Sequence, residues 1–220
     1  MLSSIFADPT RIIITIVSLI AAVTVHEFAH AFMANYLGDP TPRLQGRLTL
    51  NPLAHLDPLG SLVFIITSFF QFPFGWGKPV QFDPFNLQNP KRDAALISVA
   101  GPISNIIFAS TLSLILRFTF DPFSPYSQVF VLIRALIELN VVLAVFNLVP
   151  IHPLDGGKIL VGLLPTGEAR AVDRFLSQYG LFVLLILIFP LFGGVPLISI
   201  IISPVVQFLL SVFIPGARFI

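Results

Sequence analysis

The chain has 220 residues, 55% of them hydrophobic and 10% charged, and its mean hydropathy is +0.92. That balance excludes a water-soluble globular domain, and a net charge of +1 gives no broad basic field for nucleic acid. Cysteine is absent, which excludes disulfides and thiolate metal sites, so any metal must be held by His and carboxylates. The length suits one membrane-embedded domain over residues 1–220, all-α and polytopic, with four to six transmembrane helices.

The first predicted helix runs from about residue 10 to 37 and is long enough to cross a bilayer. A secretory signal peptide is the competing reading of its start, with Arg11 as the basic residue and Ala21-Ala22 as a cleavage-like pair. The apolar stretch runs on past the usual length of such a core. Gly38-Asp39-Pro40-Thr41-Pro42 ends the helix. A turn-rich stretch follows, in which the alternation of Arg47-Leu48-Thr49-Leu50 predicts a short β element. His55 and Asp57 form a second polar cluster whose plainer reading is a capped helix start.

Residues 59–74 are apolar but too short for a straight span, so they form either a short span or a re-entrant segment. They lead into Gly75-Trp76-Gly77, where irregular backbone is expected beside protein or a wet cavity. Further spans are predicted over 94–117 and 129–148, and a closing hairpin over 178–192 and 195–214. Gly101-Pro102-Ile103-Ser104-Asn105 in the third segment reads as a helix-packing surface. Arg134 and Glu138, four apart, read as an internal ion pair. Residues 158–177 are polar and read as facing water.

Chemistry concentrates in His26-Glu27-Phe28-Ala29-His30. Residues i and i+4 share a helix face, so His26 and His30 can address one metal, with Glu27 beside them to take a proton from water. Chance yields this pattern in roughly one shuffled chain in a thousand. Ionisable residues inside an apolar span are costly and mark function. The stretch from Asn147 through Pro150, His152 and Pro153 to Asp155-Gly156-Gly157 breaks a helix and can deliver Asp155 to that metal. His152 is a rival ligand or a partner of one.

Taking 59–74 as re-entrant places Arg43, Arg47, Lys78, Lys91, Arg92, Lys158, Arg170 and Arg174 on one side, with Arg11 and Arg117 opposite. The crowded side is then cytoplasmic. This topology sets the two His roughly 14 Å from that face, against roughly 27 Å for a full span. Only the first depth lets Asp155 reach them easily.

Together, His26-Glu27-x-x-His30, Gly101-Pro102-x-x-Asn105 and Asn147-x-x-Pro150-x-x-Pro153-Leu154-Asp155-Gly156 resemble the site-2 protease family of intramembrane zinc metalloproteases. The resemblance covers roughly residues 20–160 in order. It implies one Zn2+ per chain on His26, His30 and Asp155, with Glu27 as the catalytic base. It places the family's motif asparagine at Asn147, as an oxyanion donor or a holder of the substrate strand. It likens Gly75-Trp76-Gly77 to the re-entrant element that contacts substrate. The chain resembles the compact branch, with no insertion large enough for a PDZ domain. The implied partners are the lipid bilayer of the cell membrane and a transmembrane protein substrate cut near the cytoplasmic face. The alternative is a non-proteolytic zinc protein, a transporter or sensor, which has no evident use for Glu27. The roles of His55, Asp57 and His152 stay open.

Overall fold

The structure, a computed structural model, describes residues 9–68, 76–119, 127–189 and 195–214. These residues form eight α-helices: α1 (Pro9–Tyr36), α2 (Thr41–Leu44), α3 (Pro58–Ser68), α4 (Pro90–Thr119), α5 (Ser127–Asn147), α6 (Asp155–Leu163), α7 (Thr166–Ile188) and α8 (Leu197–Phe213). Four of them, α1, α4, α5 and α7, contain stretches long and apolar enough to cross a membrane. Large apolar side chains such as Ile13, Ile107, Leu114 and Phe208 point outward from them and from α8. That surface suits acyl chains, not water.

α1 ends at a left-handed glycine, Gly38 (φ 105°), while the Asp39 N–H returns to the Ala34 carbonyl at 3.0 Å. Only glycine takes that conformation without strain. The fully buried Asp39 carboxylate then accepts from the Thr41 N–H and hydroxyl, the Asp83 N–H and the Asn86 amide. Burial opposes its charge, but these donors outweigh it and hold the carboxyl below the usual range.

The described part of α3 has 11 residues, roughly 16 Å of helix, about half of a bilayer core of about 30 Å. The chain also returns to where it left. The Lys78 N–H donates to the His55 carbonyl at 2.8 Å, and Leu56 bridges Gly77 in antiparallel fashion. The two ends of the intervening segment are therefore held side by side. Residues 69–75, including Gly75, lie outside the described residues.

Three sequence expectations are corrected. Residues 47–50 form no strand, and the β element reduces to the single Leu56–Gly77 bridge. Residues 158–177, read as polar and facing water with no helix assigned to them, are helical: α6 covers Asp155–Leu163, and α7 runs unbroken from Thr166 to Ile188. The first arm of the closing hairpin consequently begins at 166 instead of 178. Packing explains α6, because an added Cβ on Gly162 would come within 2.3 Å of the Ala95 side chain on α4. Three glycines and a lysine in nine residues gave no sign of that contact. The Gly193-Gly194 turn lies outside the described residues.

The largest apolar cluster joins α4, α5 and α8 through Ala109, Leu112, Leu116, Ile137, Val141 and Leu210. A second ties Val149 and Leu154 to Leu184, Ile188 and Ile198 on α7 and α8. Arg134 and Glu138 pair at 2.7 Å on the face of α5, as their spacing predicts.

Candidate metal centre

α1 carries His26 and His30 one turn apart. α4 crosses at Gly101, where a Cβ would stand 2.6 Å from the His30 ring and 2.7 Å from that of His26. The glycine is therefore the space the imidazoles occupy. Pro150 and Pro153 break the chain after α5, and α6 starts with Asp155 in its first turn. Gly156 permits this fold-back: a Cβ there would lie 2.3 Å from the Val149 carbonyl. Asp155 Oδ2 ends 3.0 Å from His26 Nε2 and 3.2 Å from His30 Nε2.

Hydrogen bonding sets which imidazole nitrogen is available. Both N–H groups of Asn105 are used, on the Ala22 carbonyl at 2.9 Å and on Asn140 Oδ1 at 2.7 Å. Its Oδ1 therefore accepts from His26 Nδ1 at 2.7 Å. His30 Nδ1 faces the Ile97 carbonyl at 2.7 Å, which can only accept. Each ring thus carries its proton on Nδ1 and directs the Nε2 lone pair at Asp155.

The donor set fits a zinc ion. Atoms bound to one tetrahedral zinc at about 2.1 Å stand roughly 3.4 Å from one another. Here the three candidate atoms lie within 4.8 Å of one another, and the two His–Asp separations are near that value. Among the described residues His26, His30 and Asp155 are the only such group. Both His are buried, as a site walled off from lipid requires.

Glu27 and Asn147 line the same cavity of about 110 Å³, with Lys158 at its edge. Glu27 Oε2 accepts the Val80 N–H at 2.9 Å. Asn147 donates one amide hydrogen to the Leu143 carbonyl at 3.0 Å, and its amide has a second to offer.

The open residues resolve differently. Asp57 accepts the Gly60 N–H at 2.7 Å, capping α3. The buried His55 ring meets the Thr49 carbonyl at 2.7 Å, and His152 pairs with Asp173 on α7 at 3.2 Å. Neither joins the His–His–Asp group, so the reading of His152 as a rival ligand is withdrawn. The sequence reading missed Gly101 and Asn105 as neighbours of the site, although their motif lay in view. A polar Asn and a helix-interior glycine at one depth, with two His in a neighbouring span, was the available signal.

A profile of Peptidase family M50 matches residues 124–191. "Putative zinc metalloprotease YwhC" of Bacillus subtilis (strain 168) is 38% identical over 180 residues, covering 78% of this chain and 78% of its own. "Putative zinc metalloprotease Rip2" of Mycobacterium tuberculosis (strain ATCC 25618 / H37Rv) is 31% identical over 179 residues, 80% of this chain and 66% of its own. The protein of that name from Mycolicibacterium smegmatis is also 31% identical, with the same coverage. No solved structure matches. With a His–His–Asp group that could hold a metal converging among apolar helices, and with relatives that share most of its length, the chain belongs to Peptidase family M50, the site-2 protease family of zinc metalloproteases.

Proposed function

We propose that this integral membrane metalloprotease cleaves transmembrane or membrane-anchored proteins of the cell membrane, within the bilayer and toward its cytoplasmic face, as one domain over residues 1–220. The observation that carries this reading is the meeting of His26, His30 and Asp155 inside the helix assembly, with Glu27 on the same cavity. His26 and His30 sit roughly 15 Å or less from the C-terminal end of α1, a depth that Asp155 reaches from the short connection after α5.

In this reading His26, His30 and Asp155 hold zinc, leaving one position open, as catalytic zinc sites do. Zinc, when bound, supplies Lewis acidity that polarises a peptide carbonyl and makes water acidic. Glu27 takes the proton from the attacking water on its carboxylate and passes it to the leaving amine. The Val80 N–H holds one Glu27 oxygen and leaves the other for the proton. Asn147 turns its second amide hydrogen toward the oxygen that gains charge as the carbonyl is attacked. A helical substrate has its carbonyls tied up internally, so it unwinds before it meets these groups. In this reading it lies along the neighbouring stretch from Trp76 to Val80, and the hairpin of α7 and α8 serves as its gate.

The test is Glu27→Gln in purified protein, with a membrane-anchored reporter in proteoliposomes. The expected outcome is loss of cleavage by at least about a hundredfold with zinc retained. Cleavage that persists would refute the assigned base.

A further inference from the structure

Arg47 has no part in the chemistry above, and the sequence marked it only by its charge and as the start of the alternating stretch 47–50. It is nevertheless almost fully buried, at 4% exposure, and makes no ion pair among the described residues. A buried guanidinium is expensive unless its donors are satisfied. Arg47 spends them on main-chain oxygens: Nη1 on the Ala54 carbonyl, and Nη2 on the Lys78 carbonyl at 2.5 Å and the Pro79 carbonyl at 2.8 Å.

The Pro79 carbonyl belongs to the same peptide group as the Val80 N–H. That peptide is trans, so the carbonyl and the N–H point in opposite directions from one rigid plane. Arg47 holds the oxygen side at 2.8 Å, and Glu27 accepts from the hydrogen side at 2.9 Å. The plane cannot rotate without breaking one bond or the other. A cation on a carbonyl also polarises its amide and strengthens the bond its N–H donates.

We infer that Arg47 is the positioning residue for Glu27, acting through the Pro79–Val80 peptide plane to fix the carboxylate beside the metal ligands. The inference rests on Glu27 being the base. The arrangement also assigns work to the turn-rich segment from Asp39 to Asp57. It anchors both the guanidinium and, through the His55 carbonyl and the Leu56–Gly77 bridge, the start of the stretch that ends at Val80.

The experiment compares wild type, Arg47→Met, Arg47→Lys, Glu27→Asp and the Arg47→Met/Glu27→Asp pair. Each is assayed in proteoliposomes for kcat and KM and in detergent for zinc content. Hydrogen exchange is followed over residues 76–82. Arg47→Met is expected to lower kcat roughly 10- to 100-fold, the scale on which supporting shells act, with KM and zinc content unchanged. Arg47→Lys, which keeps a cationic donor for one carbonyl, is expected to recover part of that loss. Exchange at Val80 is expected to rise in Arg47→Met, an effect independent of activity. In the pair, the Arg47→Met loss should shrink, because the shorter carboxylate has already left the Val80 N–H.

Equal losses with and without Glu27→Asp would overturn the inference. So would a protein that unfolds or loses zinc in both Arg47 variants while Val80 exchange in folded wild type is unprotected. If Glu27→Gln cleaves normally, the base assignment itself is wrong. The hydrogen-exchange result then still reports whether Arg47 fixes the plane.

Discussion

α4 and α5 pack against each other along their length, yet the two ends of that contact are built from different materials. Toward the candidate metal site they meet through Asn105 and Asn140, with His26 completing the network. Farther along they meet through Ala109, Leu112, Leu116, Ile137 and Val141, with α8 covering them. Within lipid, apolar burial gives helices little reason to associate, because acyl chains are as apolar as leucine. The apolar end is therefore held by shape, and it tolerates change. The polar end is held by donors and acceptors with no water to replace a lost partner, so each member depends on the others.

The contrast sharpens under substitution. Asn105→Leu keeps the size but removes the acceptor of His26 Nδ1 and the donor to Asn140. We expect zinc affinity to fall roughly 10- to 100-fold, read by competition with a chelator. Unchanged affinity would show that the network does not orient the ligand. A smaller effect is expected at the apolar end. Leu112→Ala removes buried contacts, but the water-transfer part of the usual Leu→Ala penalty is missing in lipid. A loss under roughly 2 kcal/mol is expected, the low end of the soluble range or below it. Reversible unfolding in mixed micelles would measure it, with zinc affinity unaltered. A larger loss, or weakened zinc binding, would erase the distinction between the two ends.

The same contrast explains what could be read from the chain alone. His26, Glu27 and His30 were legible because helix geometry alone puts i and i+4 on one face. Asp155 needed a topology, and reading the short 59–74 stretch as re-entrant was the argument for one. Gly101 and Asn105 were read as packing residues. Their role depends on which face of α4 meets α1, and a sequence of mixed small and apolar residues does not declare that. α6 was missed because its support comes from α4, not from its own helix propensity. Arg47 was illegible for a different reason. Its partners are backbone carbonyls of residues 54, 78 and 79, and a backbone group leaves no mark in the side-chain sequence.

The central claim is that ligands 129 residues apart form one zinc site. Its most direct test is the metal content of purified, detergent-solubilised protein, wild type beside Asp155→Ala. The account predicts roughly one zinc per chain in wild type and little or none in the variant, with the helical content of both unchanged. Zinc retained at full stoichiometry in Asp155→Ala would contradict it.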